Sequence, residues 1–356
     1  MVQKSKFVGV VFTGVLWAAL FLVAFANDGG KQISAQHRKQ TSSASGAGER
    51  STSVHFAIIG DFGERGKGEE AVATMVAQWD PEFIVTLGDN NYPDGKSSTM
   101  DRNVGELYHD YIYPFLGSFA TPTPDATPGP AENRFWPILG NHDWHALSVN
   151  NGLVTGPYFD YFTLPGNERY YDLVKGPIHF FMLDSDSHEP DGIKQTSIQA
   201  NWLKQQLSAS TAPWKLVLSH YAPYSSSTHG STVNLQWPYK EWGADIVLAG
   251  HDHVYERLEE DGLPYLVNGL GGASRYSFKT PVAGSLVRYA SSPGALLVDA
   301  DEQSITLQMV ITSGVTIDQI LLTKSSATPV TPTPITPEST PNTLFLPMID
   351  NNNVTD

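Results

Sequence analysis

Five compact apolar runs, each stopped by a short polar cluster, constrain this chain more than any other feature. Val54–Ile59 ends at Gly60-Asp61-Phe62-Gly63, and residues 83–87 end at Gly88-Asp89-Asn90-Asn91-Tyr92. Residues 135–139 lead into Gly140-Asn141-His142-Asp143, residues 215–218 into Ser219-His220, and residues 245–249 into Gly250-His251-Asp252-His253. Short apolar runs bounded by turn residues read as buried strands, so each cluster falls at the carboxyl end of a strand. Ligand sites of open α/β sheets form outside those ends. Five clusters can therefore converge on one crevice. The glycine that opens four of them fits a tight exit where no side chain may crowd the loop.

Between the clusters the pattern alternates. Val72, Met75, Val76 and Trp79 recur at helical spacing, and further strands are expected at residues 178–183 and 265–267. Thr196-Ser197-Ile198-Gln199 reads as a capping box opening a helix with Ile198, Trp202, Leu203 and Leu207 on its buried side. From residue 295 three strand-like runs (295–298, 305–311 and 315–322) follow without helices. The expected fold is α/β or α+β layered, two sheets with helices outside, forming one domain over residues 54–322. Residues 121–130 (TPTPDATPGP) form a proline-rich surface loop within it.

The ends read differently. Lys4 and Lys6 precede an apolar run over residues 7–26 that closes on Ala24-Phe25-Ala26, the three parts of a secretory signal. Its length leaves an uncleaved membrane anchor open beside cleavage. Residues 27–53 are a polar linker, and residues 323–343 are Thr/Pro-rich and extended. Residues 344–356 are a short tail whose apolar patch is too brief to span a membrane.

Composition narrows the chemistry. The chain has no cysteine, which removes disulfides, thiolate zinc sites and cysteine nucleophiles. A net charge of −15 disfavours long nucleic acid, whose backbone calls for a basic surface. The clusters offer two carboxylates (Asp61, Asp89), a carboxamide (Asn141), a phenol (Tyr92) and the imidazoles of His142, His220, His251 and His253. Such oxygen and nitrogen donors suit Fe, Mn or Zn. His251 and His253 are two apart, which on an extended segment puts both on one face. One carboxylate can bridge two ions, and two ions about 4 Å apart can clamp the attacking and leaving oxygens of a phosphoryl transfer. The diffuse acidity is then no obstacle to a phosphate substrate, because the ions would be the largest local charges.

The five blocks, GDFG, GDNNY, GNHD, VLSH and GHDH in that order, closely resemble those of calcineurin-like metallophosphoesterases, and the tyrosine resembles that of the purple acid phosphatases among them. The resemblance covers residues 54–322. It implies a metallophosphoesterase-type two-sheet core and an exported phosphatase acting on phosphorylated small molecules. It implies that Asp61, Asp89, Tyr92 and His253 bind Fe3+, and that Asp89 bridges to Fe2+, Zn2+ or Mn2+ completed by Asn141, His220 and His251. His142 would face the phosphate, and His229, in Ser227-Thr228-His229-Gly230, would reach it too. The resemblance also implies hydroxide attack on phosphorus, with His142 protonating the leaving oxygen. Monoesterase, phosphodiesterase and nucleotidase activities all fit such a core; a non-catalytic surface protein is the reading from another class. Only 53 residues precede Val54, so the compact, single-domain type is expected.

Other residues carry blander expectations. Asp143 and Asp252 are read as orienting histidines or capping loops. Trp136, Trp144, Tyr221 and Tyr224 flank the blocks and could shape a pocket mouth. His37, His55, His109, His145, His179 and His188 match no motif and are expected on the surface or in the core. Tyr255-Glu256-Arg257 reads as a strand leaving the last block, with Arg257 paired to an acid.

Overall fold

In the computed structural model, residues 53–119 and 132–324 are described. The expected signal, both linkers apart from their innermost residues, the 121–130 loop, the tail and His37 lie outside them. Strands β1 (Val54–Ile59), β2 (Phe83–Thr86) and β3 (Phe135–Trp136) come first, followed by a hairpin of β4 (Ser148–Asn150) and β5 (Leu153–Thr155). Next come β6 (Tyr171–Lys175), β7 (Ile178–Met182), β8 (Trp214–Ser219), β9 (Ile246–Ala249), β10 (Tyr255–Glu260) and β11 (Leu263–Asn268). The chain closes with β12 (Ser285–Tyr289), β13 (Gly294–Ala300), β14 (Ser304–Ile311) and β15 (Thr316–Thr323).

These strands make two large sheets in a mixed α/β sandwich. The first runs β15-β14-β13-β1-β2-β3 and the second β12-β10-β11-β9-β8-β7-β6. At the heart of the first, β1 pairs parallel to β2, with Phe56 opposite Phe83, and antiparallel to β13, with Val54 opposite Ala300. In the second, β7, β8, β9 and β11 run parallel. The parallel centre directs the carboxyl ends of β1, β2 and β3, and of β8 and β9, to the loops that bear the polar clusters.

Alternation along the strands builds the core. Phe180 of β7 meets Phe56 and Phe83 of the first sheet edge-on, at 5.4 and 5.8 Å between ring centroids. Leu216 and Leu218 of β8 join that inner core, whereas Val217 between them faces the outer cluster with Leu203 and Leu207. That period of two is what a strand covered on both faces requires.

Several expectations shift by small amounts. The helix spans Ile198–Ala209, but its cap is Ser197, whose side chain accepts from the Ala200 N–H at 3.1 Å. Gln199 does not reach back to the cap. Its side chain accepts from the Asp184 N–H (2.9 Å) and donates to the Asp184 carbonyl (2.8 Å). Ile198, expected inside, is 63% exposed, because it precedes buried Leu207 by nine residues, two and a half turns, and so faces the opposite side of the helix. β3 is only two residues long: Pro137 follows it, and a proline has no N–H for a ladder. Arg257 on β10 pairs with Asp318 at 2.7 Å, the structural role expected of it.

Candidate metal centre

All seven candidate donors converge where the two sheets meet. Asp61 and Asp89 are buried in left-handed backbone at the exits of β1 and β2, with φ of 56° and 52°. Left-handed Asp is tolerated because its short polar side chain bonds locally. The strand exits are crowded: a Cβ at Gly88 would lie 2.6 Å from the His220 ring, and one at Gly140 2.2 Å from the Asp89 amide. Both positions are therefore closed to any side chain.

Two overlapping groups of donors result. Asp89, His220 and His251 form one, and Asp61, Asp89 and His253 the other, with the donor atoms of each within 4.8 Å of one another. Asp89 belongs to both. Tyr92 joins the second group, its hydroxyl donating to Asp89 Oδ2 at 3.0 Å and lying 3.1 Å from His253 Nε2. Asn141 joins the first, its Oδ1 lying 3.0 Å from His220 Nε2.

The donor set fits cations for a reason visible in the imidazoles. His220 Nδ1 lies 2.8 Å from the Leu87 carbonyl, and His253 Nδ1 lies 2.6 Å from that of Ser274. A carbonyl can only accept, so each Nδ1 carries the proton and each Nε2 turns a lone pair inward. There His220 Nε2 faces Asp89 Oδ1 at 3.3 Å, and His253 Nε2 faces Asp61 Oδ1 at 3.4 Å. Lone pair against lone pair repels unless a positive charge sits between them. Burial disfavours the charged form of His220, but Asp89 outweighs it and raises the imidazole to about 10. Burial likewise opposes ionisation of Asp89, yet the charge of His220 holds its carboxyl well below the usual range. The extra proton on His220 occupies the role a cation would take. Burial, then the charges of Asp61 and Asp89, push the Tyr92 phenol well above 10. Only a cation alongside would make it a phenolate.

His251 and His253 do not lie on an extended segment. His251 has φ 69°, and the turn sends each imidazole to a different donor group. Burial, then the charges of His220 and His229, lower the pKa of His251. His142 stands at the edge of the centre, its backbone N–H donating to Asp89 Oδ1 at 2.9 Å and its Nδ1 lying 2.6 Å from the Pro93 carbonyl. The His229 ring lies at the rim, 4.0 Å from that of His251.

Asp143 and Asp252 hold loops rather than histidine rings. Asp143 accepts from the Gly140 N–H at 2.9 Å and from Asn90 Nδ2 at 2.8 Å, and burial, then Asp89, raise its pKa to about 7. Asp252 accepts from Ser225 Oγ at 2.6 Å and from the His229 N–H at 2.8 Å, which ties the rim loop to the last block. Glu256 steadies the same loop through Ser226 N–H and Oγ, at 2.7 and 2.5 Å.

Several contributors escaped sequence reasoning. Asn103 donates to the carbonyls of Gly63 and Tyr92 at 2.9 and 2.8 Å, clamping the first two clusters together. Tyr276 stacks on His253 at 4.1 Å and 7°. The glycine-rich stretch Gly269–Ser274 after β11 was the available signal for the latter. Trp144 and Tyr221 do line a cavity, of about 570 Å³ beside Asn141, and so do His145 and His188. Trp136 instead sits under Lys175, and Tyr224 packs on Tyr265. A second cavity, of about 440 Å³, opens on the Tyr92 and His253 side.

Residues 54–255, more than half of the chain, match the model of the calcineurin-like phosphoesterase family. The chain is 27% identical over 308 residues to tartrate-resistant acid phosphatase type 5 of Rattus norvegicus, covering 74% of this chain and 88% of that one. It is 25% identical over 251 residues to purple acid phosphatase 17 of Arabidopsis thaliana, covering 62% and 68%. Among solved structures, purple acid phosphatase PPD1 from yellow lupin superposes with a TM-score of 0.59 at 19% identity, covering 77% of this chain and 54% of its own. GAP50, the anchor in the inner membrane complex of Plasmodium, gives 0.57 at 21% identity, covering 77% and 90%. Those two likenesses are of fold alone.

Proposed function

The chain belongs to the calcineurin-like phosphoesterase family and is a metal-dependent phosphoesterase, and from that premise we propose that it is an exported acid phosphatase hydrolysing phosphate monoesters. The observation that carries the reading is Asp89 shared between two donor groups, the arrangement a bridged pair of cations requires. Asp61, Asp89, Tyr92 and His253 would hold Fe3+, and Asp89, Asn141, His220 and His251 a divalent ion, Fe2+, Zn2+ or Mn2+. When bound, the pair would acidify water and draw charge from the phosphoryl oxygens.

The remaining work falls to this chain's own side chains. With Nδ1 of His142 engaged by the Pro93 carbonyl, its Nε2, 4.0 Å from Asp89 Oδ2, is the nitrogen left to bind the ester and, as imidazolium, to protonate the leaving oxygen. His229 would hold a phosphoryl oxygen from the rim, its loop kept in place by Asp252. Residues 54–322 would be the catalytic domain, residues 1–26 the export signal or anchor, and residues 323–343 a linker to the tail at 344–356. No helix among the described residues is long and apolar enough to cross a membrane.

Phosphate release from a panel of monoesters and diesters tests the proposal. Turnover of monoesters with both metals present is expected; turnover of diesters alone would replace the reading with phosphodiesterase. The purified protein should also show a visible tyrosinate-to-iron band that Tyr92→Phe abolishes. A colourless protein holding only zinc would remove the ferric assignment and leave hydrolysis standing. Inertness of the metal-loaded protein toward every ester would favour the reading from another class, a non-catalytic surface protein.

A further inference from the structure

Building on the monoesterase reading, the geometry points to a subsite for a flat aromatic leaving group in the cavity beside Asn141. At about 570 Å³ this cavity lies within the usual ~300–1,000 Å³ of small-molecule sites. Asn141 and His145 are in its wall, and the His145 ring lies 5.1 Å from that of His142, the group proposed to protonate the leaving oxygen, which itself lines the opposite cavity; an ester held at the centre can therefore turn its alcohol to this side.

Two of the wall's rings are aligned. His188 stacks on Trp144 at 28° with centroids 5.8 Å apart. Trp144 is fixed by its Nε1–H donating to both oxygens of buried Asp184, each at 3.1 Å. His188 is fixed by Asp186, whose Oδ1 lies 2.6 Å from its Nδ1 and accepts its backbone N–H at 2.9 Å. The other oxygen of Asp186 accepts from Tyr221 Oη at 3.1 Å, and the Tyr221 ring lies 4.4 Å from that of His251. One carboxylate thus holds two of the three rings of a shelf that reaches the donor set. The His188 side chain is nonetheless 73% exposed, so its ring is presented rather than packed away.

Charge selects the class of leaving group. Among the described residues no lysine or arginine lines this cavity, and any positive charge on His188 is already matched by Asp186. A leaving group bearing further phosphates would find no free cation, whereas a neutral ring gains from stacking. The opposite cavity, with Arg102 and Glu64 in its wall, offers charges and a different preference.

The test compares kcat/KM for phenyl phosphate with that for glycerol phosphate. Losing one stacking partner should lower the phenyl-to-glycerol ratio about two- to tenfold in His188→Ala. His188→Phe, which keeps a flat ring, should restore much of it. Ser187→Trp, at an exposed position, should fill the cavity and lower the ratio independently. General damage to the centre lowers both rates together and leaves the ratio alone. A ratio unmoved by both the His188→Ala and Ser187→Trp changes, or moved only by Thr99→Trp in the opposite cavity, overturns the subsite. Failure of the metal-loaded wild type to hydrolyse either ester would instead remove the monoesterase reading beneath it.

Discussion

Cut between its two sheets, the candidate centre divides by chemistry. The first sheet supplies every oxygen donor: Asp61 after β1, Asp89 and Tyr92 after β2, Asn141 after β3. The second supplies every imidazole, His220 after β8 and His251 and His253 after β9. Each of the two donor groups draws on both sheets. An acidic rim therefore faces a basic one, and whatever cation lies between them joins the halves of the sandwich as well as serving chemistry. The sheets also differ behind the site. Glu69, on the Lys67–Gln78 helix that packs on β13 of the first sheet, is buried with both carboxyl oxygens unpartnered. Glu256, on β10 of the second, is buried with donors from Ser226 and Ser285.

Removing the shared oxygen donor should have the largest effect. Asp89→Ala takes a ligand from both groups, so turnover should fall to background and elemental analysis should show less than two metals per chain. Full metal content with activity intact would break the idea that one carboxylate serves both. A smaller effect is expected from chelation. If cations join the sheets, removing them should lower thermal stability by about 4 kcal/mol for free metal held about 1,000-fold above its dissociation constant. An unchanged melting temperature would mean that the sheets hold together without the seam.

The third effect separates the two buried acids. Burial raises Glu69 from 4.5 to about 8. Between those values the folded chain keeps a proton that the unfolded chain has lost, so stability falls as pH rises through this window. Glu69→Gln is neutral throughout; it should match the wild type near pH 4 and exceed it by about 3 kcal/mol near pH 7 in denaturant titrations. Glu256→Gln should instead cost about 1–3 kcal/mol, because an amide N–H₂ would face donors. Equal responses at both positions would erase the contrast between the two sheets' supports.

The donors were legible in the sequence because each is a polar residue fixed two to five places after an apolar run. The strands feeding them were legible for the same reason. β6 and β12 were not, since YDLVK and SLVRY sit at sheet edges where polar residues dilute the pattern. The helix cap slipped by one place because Thr196 and Ser197 are both good caps, and only the backbone decides between them. His188 and Trp144 stack across 44 positions of sequence, Asn103 clamps through backbone carbonyls, and Leu87 and Ser274 act by carbonyl alone. Such roles carry no local signature, because contact in space sets them rather than spacing along the chain.

The left-handed corners at Asp61, Asp89 and His251 narrow what the chain can become. Apart from glycine, the residues that enter this region with some ease are Asn, Asp and His. Glycine brings no ligand atom and Asn no charge. Glutamate, as good an oxygen donor as aspartate, does enter this region at Glu168 (φ 63°), but it would cost about 1–2 kcal/mol at each corner. The vocabulary open to the fold at these corners and the vocabulary useful to a cation are nearly the same short list. A substitution that spares one while losing the other is therefore hard to find, and a lineage drifting at these positions meets both constraints in a single step.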